Sequence, residues 1–175
     1  MVPFMTVEPG CPSSIVLVER LAPGAVPPAD CLRLPLSADQ RTSSRGHRRS
    51  ACGRDLVLQL PRGAALEPGA VLLSHDASVA VRVEAAPEAL LRVRSADRLA
   101  LLQAAYHLGN RHVAMELHAD QLLLLQDSVL EDLLRQRGLS VERLQAPFQP
   151  EAGAYAGAPA GHGQPHHHSH HYHNH

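Results

Sequence analysis

The chain has 175 residues, of which 45% are hydrophobic and 3% aromatic, and its formal net charge at pH 7 is −1. This length allows one compact domain or two small ones. The near-zero charge argues against a protein whose main partner is nucleic acid or an anionic membrane. All sixteen basic residues are arginine, which excludes a Gly-Lys-Ser/Thr phosphate-binding loop and a Schiff-base lysine.

The cysteines point to a cytoplasmic location. Cys11, Cys31 and Cys52 include no Cys-x-x-Cys pair, and their odd number leaves at least one unpaired, as in a protein with reduced thiols. The first twelve residues lack the basic start and apolar core of a signal peptide. No segment approaches the length of a membrane-spanning helix. We therefore expect a protein of the cytoplasm.

Residues 1–80 are predicted to form a small β-rich N-terminal domain. Short apolar runs are separated by proline and glycine, and each run has the length of a β-strand. The runs are 15–18, 32–36, 56–60 and 70–73. These prolines and glycines leave no uninterrupted segment long enough for a helix of normal length.

Residues 84–148 are predicted to form a second domain in the order strand, helix, strand, strand, helix, strand, which is typical of ferredoxin-like domains. Ser95 is expected to cap the first helix, and Gly109 to end it in the left-handed conformation. Ser128 and Glu131 have the spacing of a capping box for the second helix. The apolar residues of the first helix recur at helical spacing: Leu101, Leu102, Ala105 and Leu108. The predicted fold class is therefore α+β.

The strand predicted after the first helix presents two different faces. Apolar residues alternate with polar ones from residue 112 to residue 118, which is the period of a half-buried strand. His112, Glu116 and His118 fall on the polar face and could coordinate a metal ion. For Glu116 and His118 a solvated strand face is the favoured interpretation, although His118 is kept as a candidate ligand.

Residues 149–175 form an Ala/Gly/Pro linker and a histidine-rich tail. Seven of the final ten residues are histidine, and neutral imidazole suits Ni, Zn, Cu and Co ions. The candidate ligands are His162, His166, His167, His168, His170, His171, His173 and His175. A purification tag is the competing interpretation, but Ser169, Tyr172 and Asn174 interrupt the tract. The composition predicts disorder and several loosely held ions.

His112 is the candidate for a second, more rigid site. Taken alone, a histidine bonded to a neighbour is the favoured interpretation, because one ligand does not make a site. A two-fold axis beside His112 in a homodimer would bring two imidazoles together. His47, His75 and His107 have no ligand spacing around them and are interpreted as structural.

Other features suggest a binding protein and not an enzyme. A basic stretch could contact an acidic protein partner, although a solvated loop or strand face is the favoured interpretation. It comprises Arg41, Arg45, Arg48, Arg49 and Arg54. The chain contains neither His-Glu-x-x-His nor Gly-x-Ser-x-Gly, so it offers no familiar hydrolase site.

Four motifs resemble the UreE family of urease accessory nickel chaperones. The first is Gly109-Asn110-Arg111-His112, preceded by Tyr-His-Leu, and the others are Leu-Gln-Leu-Pro-Arg-Gly at 58–63, Val-Leu-Glu-Asp-Leu-Leu at 129–134 and Pro-Phe-Gln-Pro-Glu-Ala-Gly-Ala-Tyr at 147–155. With the histidine-rich end, the resemblance covers nearly the whole chain. One departure is Gln126-Asp127-Ser128, where some members have His-Asp-His, so their accessory metal site is not expected here.

The resemblance implies a homodimer in which the C-terminal domains meet around the metal, with His112 paired across the axis, and an N-terminal domain used for protein contact. It implies delivery of Ni(II), as cargo, to the urease apoprotein together with a nucleotide-hydrolysing accessory protein, a GTPase. Imidazole ligands by themselves do not select nickel over zinc or copper. A storage or detoxification protein for nickel or zinc, without a client enzyme, is the alternative.

Overall fold

The computed structural model describes residues 14–22 and 28–152, which form ten strands and three helices. The predicted disordered tail and its histidines lie outside the described residues, as does Cys11. The strands are β1 (Ile15–Arg20), β2 (Cys31–Leu36), β3 (Arg45–Arg49), β4 (Asp55–Gln59), β5 (Val71–Ser74), β6 (Ala80–Ala85), β7 (Pro87–Arg94), β8 (Met115–Leu117), β9 (Gln121–Leu125) and β10 (Ser140–Pro147). The helices are α1 (Ala38–Thr42), α2 (Arg98–Gly109) and α3 (Ser128–Gln136). No helix in this part of the chain has the length and apolarity needed to cross a membrane.

The first six strands form one mixed sheet in the order β2-β6-β5-β1-β4-β3. Alternate residues of these strands point to one side, where a core dominated by leucine excludes water. Its fully buried members are Leu17, Leu34, Leu36, Leu56, Leu58, Leu72, Val81 and Val83. The apolar runs at 15–18, 32–36, 56–60 and 70–73 correspond to β1, β2, β4 and β5, as predicted.

Two strands of this sheet, β3 and β6, were not predicted. β3 contains Arg45, Gly46, His47, Arg48 and Arg49, and it pairs with β4 at the edge of the sheet, where polar side chains remain in water. β6 pairs with both β2 and β5 and continues to residue 85. It therefore runs through the expected domain boundary at residues 80–84.

The last four strands form a second, antiparallel sheet in the order β10-β7-β9-β8, and α2 and α3 pack on one face of it. The order of strands and helices from β7 to β10 is the predicted one. The sheet contributes Leu91, Val93, Leu122 and Leu124 to the core beneath the helices. α2 contributes Leu101, Ala104 and Leu108, and α3 contributes Leu134.

Both helices begin at a different cap from the predicted one. Asp97, not Ser95, caps α2 and accepts a hydrogen bond from the backbone N–H of Leu99 at 2.9 Å. Ser95 instead accepts one from the N–H of Asp97. Asp127 caps α3, so the predicted capping box of Ser128 and Glu131 does not form. In each case an aspartate one or two residues away takes the role that a serine also fits.

Glu131 is buried and pairs with arginine. Its carboxylate accepts hydrogen bonds from the Arg143 guanidinium at 2.7 and 2.9 Å and forms an ion pair with Arg135. Arg143, and to a lesser extent Arg135, hold the pKa of this carboxyl below its usual range. The residue predicted to cap α3 therefore ties α3 to β10.

A small apolar cluster joins the two sheets. Phe148 is fully buried against Leu90 and Leu123, with Ala38 of α1 beside it. The buried Arg41 of α1 donates a hydrogen bond to the carbonyl oxygen of Phe148 at 2.7 Å. The segment that follows β10 is thus held by the N-terminal half of the chain.

Candidate metal site

The turn between α2 and β8 presents His112 to solvent. The backbone N–H of His112 donates to the carbonyl of Gly109 at 2.9 Å, and that of Val113 donates to the carbonyl of Leu108 at 3.1 Å. Leu108 is buried, so these bonds anchor the turn to a fixed point of the core. The His112 side chain is exposed at a backbone position that the turn defines closely.

His112 itself adopts the left-handed conformation, with φ at +57°. The prediction that Gly109 does so was wrong, because α2 continues through Gly109 and Asn110 caps it in the right-handed region. The prediction that His112 begins a strand was also wrong, because β8 starts only at Met115. Among residues other than glycine, histidine is enriched in this conformation together with asparagine and aspartate.

Glu116 and His118 lie together on and just after β8. A Glu116 carboxylate oxygen, Oε1, is 2.9 Å from Nε2 of His118. The other oxygen, Oε2, accepts a hydrogen bond from the backbone N–H of Gln149 at 2.8 Å. Glu116 is half-buried and His118 is exposed. The face that carries them is therefore a polar contact between β8 and the segment after β10, and not only a solvated face.

The described part of one chain contains no complete metal site. Within residues 14–22 and 28–152, no three His, Cys, Asp or Glu side chains converge closely enough to hold an ion. His112 and His118 are both exposed, and the eight tail histidines are outside the described residues. A metal site at His112 would therefore need further ligands from outside the described residues of this chain or from a second chain.

The other histidines are dispersed. His47 is exposed on β3, His75 lies in the turn between β5 and β6, and His107 lies on α2 with its ring edge-on to Tyr106 at 5.6 Å. They lie on three different elements, and none belongs to a ligand cluster of the described residues.

An exposed apolar stripe on α2 was not predicted from the sequence. Leu99, Leu102 and Tyr106 are 61%, 67% and 67% exposed, and spacings of three and four residues place them on one face of the helix. Of the apolar residues that recur at helical spacing in α2, Leu101 and Leu108 are buried, whereas Leu102 is exposed. The signal was present in the sequence, because α2 is apolar on more than one side.

The basic stretch divides into structural and exposed residues. Arg41 is buried, and Arg48 donates to the backbone carbonyls of His47 and Gln40. Arg45 and Arg49 are exposed on one face of the edge strand β3, and Arg49 forms an ion pair with Asp55 at 3.0 Å. Part of the stretch is therefore a solvated strand face, which was the favoured interpretation.

Family models match both halves of the chain. The description "UreE urease accessory protein, N-terminal domain" matches residues 18–86, and "UreE urease accessory protein, C-terminal domain" matches residues 88–175. The chain belongs to the UreE family of urease accessory proteins. The resemblance predicted from Gly109-Asn110-Arg111-His112 and the three other motifs is thereby confirmed. The two UreE matches meet between β6 and β7, where the first sheet gives way to the second.

Curated UreE relatives align along most of the chain. The urease accessory protein UreE of Parasynechococcus marenigrum is 57% identical over 143 residues, which is 82% of this chain and 94% of the relative. That of Synechococcus sp. strain CC9311 is 63% identical over 124 residues, 71% of this chain and 80% of the relative. That of Thermosynechococcus vestitus is 49% identical over 136 residues, 78% of this chain and 94% of the relative.

Proposed function

We propose that this chain is a homodimeric nickel metallochaperone that collects Ni(II) and delivers it to the urease apoprotein during assembly of its active site. Membership of a family of urease accessory proteins is the observation that carries the proposal, because it ties the chain to urease maturation. The imidazole-rich composition supports a divalent transition metal as the cargo. The protein binds and transfers ions and catalyses no reaction of its own.

The dimer is proposed to form through α2, with the two copies of His112 close to the two-fold axis. The exposed stripe of Leu99, Leu102 and Tyr106 supports this arrangement, because an apolar surface of this kind is stabilised by burial. The stripe runs along α2 toward the turn that carries His112. A self-complementary contact in which the two α2 helices meet near their C-terminal ends would bring the two imidazoles near one another.

The histidine-rich tail is proposed to gather ions and to supply them to the paired His112 site. It offers His162, His166, His167, His168, His170, His171, His173 and His175. Because the described part of one chain has no complete set of ligands, a cation would be held jointly and could be exchanged. Zinc and copper are the competitors, and copper leads the divalent affinity order.

The two halves are proposed to have separate roles. The C-terminal half, with its β10-β7-β9-β8 strand order and two helices on one face, fits a ferredoxin-like domain that dimerises and binds metal. The N-terminal half is proposed to contact the urease apoprotein and its accessory proteins, including a GTPase, and exposed Arg45 and Arg49 on the edge strand β3 offer a surface for an acidic partner. Cys31 and Cys52, both free thiols, suit the proposed cytoplasmic location.

The proposal is tested by activation of apo-urease. The nickel-loaded protein is expected to activate the apoenzyme better than free Ni(II) at equal total concentration. His112→Ala should reduce activation to the level of free nickel, whereas His75→Ala, which removes an exposed histidine in the turn between β5 and β6, should leave it unchanged. Activation by the loaded wild-type protein no greater than by free nickel would refute delivery.

Storage or detoxification is the second candidate, and the number of histidines in the tail favours it. In that case the protein would bind several ions per chain and protect cells from nickel without affecting urease. Nickel stoichiometry, measured by calorimetry for the intact chain and for a version ending after Tyr155, reports how much of the bound nickel the tail holds. A normal stoichiometry combined with a failed activation assay would favour storage.

A further inference from the structure

The outer edge of β3 carries backbone groups that the first sheet does not use. β3 is the last strand of that sheet and pairs with β4 alone. In an antiparallel pair, residues whose N–H and C=O both bond to the neighbouring strand alternate with residues whose groups point away from it. Two hydrogen bonds at the ends of this pair, from Leu60 to Ser44 at 3.0 Å and from Ser50 to Arg54 at 2.9 Å, fix the alternation. The even-numbered residues of β3 therefore bond to β4, and the odd-numbered ones face outward.

The outward-facing residues of β3 are Arg45, His47 and Arg49. Two of their carbonyl groups are engaged locally, because the Ser43 hydroxyl donates to the carbonyl oxygen of Arg45 and Nη1 of Arg48 donates to that of His47, both at 2.8 Å. Among residues 14–22 and 28–152, nothing accepts a hydrogen bond from the N–H of His47 or Arg49. Unpaired groups at the edge of a sheet can pair with an added strand. The part of β3 from His47 to Arg49 is thus open to a segment that supplies acceptors.

The opposite edge of the sheet, β2, is less suited to an added strand. Ala51, in the turn between β3 and β4, donates its N–H to the carbonyl oxygen of Arg33 at 2.8 Å, and Pro35 has no N–H to offer. The same bond brings the two edges of the sheet together at one point. A cleft of about 400 Å³ lies between them, with Pro35 and Leu36 on one side, His47 on the other and Gln40 of α1 beside them. A docked segment therefore has room next to β3.

The side chains around this edge are mainly basic. Residues 45–54 contain four arginines and neither aspartate nor glutamate. Arg48 and Arg49 line the cleft, and the one carboxylate that lines it belongs to Asp55. That carboxylate is paired with Arg49 at 3.0 Å, and both side chains are largely exposed, so the pair contributes little to stability and can open. Within the described chain, the other three arginines form no ion pair, which leaves a net positive edge.

The charge of this edge also argues against a second copy of the chain as its occupant. Antiparallel pairing of two β3 strands centred on His47 would set Arg45 of each copy against Arg49 of the other. Like charges directly opposite one another destabilise a strand pair, and charged side chains commonly protect an edge against self-association in this way. The complementary occupant is an extended segment that carries carboxylates.

We propose that the outer edge of β3, from His47 to Arg49, is a docking strand for an acidic, extended segment of a protein partner. The segment accepts hydrogen bonds from the N–H groups of His47 and Arg49, and its carboxylates pair with Arg45, Arg48 and Arg49. The inference rests on the proposed function only in that a protein of urease assembly is the expected source of the segment. Because few backbone bonds are available, the ion pairs supply much of the affinity, so the contact is reversible and depends on salt.

Amide hydrogen exchange, followed by NMR in the full-length protein, tests the edge itself. The N–H groups of Gly46 and Arg48, which bond to β4, should exchange slowly, and those of His47 and Arg49 rapidly. The probe is a capped peptide of about six residues in which glutamate and valine alternate, and it should slow exchange at His47 and Arg49. Protection of both groups in the free protein would show that another segment of this chain or a second copy covers the edge, and would overturn the proposal. Binding without protection of either group would equally overturn it.

Fluorescence anisotropy with the same peptide, carrying a dye, tests the chemistry of recognition. Replacing its glutamates by glutamine, or methylating the backbone nitrogens that would face β3, should each weaken binding by at least about tenfold. The affinity of the acidic peptide should fall as NaCl is raised from about 0.01 to about 1 M, because exposed charges are then screened. Binding of either modified peptide as tightly as the original would refute the proposed mode of docking.

Variants of the full-length chain test the edge from the side of the protein. Arg45→Glu should weaken binding of the acidic peptide by about tenfold, whereas Arg137→Glu, the same charge change at an exposed residue after α3, should leave it unchanged. Equal losses in the two variants would mean general attraction of charge and would refute a site at β3. His47→Pro removes an outward-facing N–H, so it should weaken binding while Tm stays close to that of wild type. If this variant does not fold, the methylated peptide tests the same hydrogen bonds.

The docking strand and the proposed function can fail separately. His112→Ala, which lacks the proposed nickel ligand, should bind the acidic peptide as the wild-type protein does. Peptide binding without activation of apo-urease would refute nickel delivery and support the docking strand. Activation by a wild-type protein that does not bind the peptide would refute the docking strand alone.

Discussion

Replacing His112 by glycine should stabilise the metal-free protein while removing its proposed nickel ligand. His112 is exposed and has φ at +57°, and the left-handed conformation costs a residue with a Cβ about 1 to 2 kcal/mol. Glycine avoids this cost but loses about 0.5 to 1 kcal/mol through its larger freedom in the unfolded chain. The net gain expected is about 0.5 to 1 kcal/mol. For a chain of this size it corresponds to a rise in Tm of roughly 1 to 4 °C.

The assay is thermal and urea denaturation in the presence of EDTA, with His112→Ala as the matched control. Alanine also removes the imidazole but keeps a Cβ, so its stability should stay within about 0.5 kcal/mol of wild type. Both variants should lose the tightest nickel site in calorimetry. If glycine and alanine gave the same Tm, or if glycine lowered it, the turn would not be strained at His112 and the reasoning would fail.

Three further substitutions probe the rest of the molecule. Phe148→Ala should lower the free energy of unfolding by about 3 to 5 kcal/mol in urea denaturation, because a fully buried aromatic side chain is lost between the two sheets; a loss below about 1 kcal/mol would show that the cluster is not a core. Glu131 has its pKa lowered mainly by Arg143, so its contribution to stability is present above the ordinary glutamate pKa and is lost as pH falls through the lower folded value. Glu131→Gln should therefore flatten the fall in Tm measured from pH 5 to pH 3. An unchanged slope would contradict this. Leu102→Asp should weaken the proposed dimer by about 3 kcal/mol or more, roughly 100-fold, since a symmetric interface loses the leucine twice. If the variant sedimented as a dimer at the same concentration as wild type, α2 would be excluded from the interface.

The strands that could be predicted from the sequence are those whose own residues carry an apolar signal. β1, β2, β4 and β5 each contain leucines that enter the same core. β3 has no such signal, because Arg45, His47 and Arg49 face solvent and the strand is held mainly by backbone pairing with β4. β6 has only Val81 and Val83 as fully buried residues, too few to distinguish it from a loop before its partners are known.

Helix ends were harder to predict because two neighbouring residues could fill the same role. Ser95 and Asp97 are both good N-caps, and the choice between them depends on where β7 ends and on which residues of α2 then face the core. At the C-terminal end of α2, Gly109 is suited to the left-handed conformation, but His112 adopts it instead. The turn after α2 is anchored to the buried Leu108, whose carbonyl oxygen accepts a hydrogen bond from the backbone N–H of Val113. Such choices are made by tertiary packing and not by local preference.

Part of the candidate site could be predicted from the sequence, and part of it could not. His112 could be singled out by its motif, because its residue type and neighbours are local information. The contact of Glu116 with the backbone of Gln149 joins positions far apart in the chain and had no counterpart in the sequence pattern. The exposure of Leu102 could not be predicted from its spacing, because α2 is apolar on more than one side.

The anchoring of residues 148–151 sets a limit on how far the protein can be shortened from its C-terminus. Phe148 fills the core between the sheets, Arg41 binds its carbonyl oxygen, and Gln149 and Glu151 are fastened to β8. A cut placed at the end of β10 would therefore remove part of the interior along with the histidines. Deletions made to isolate the effect of the tail should begin after residue 151, so that any loss of metal uptake is not confused with damage to the body of the protein.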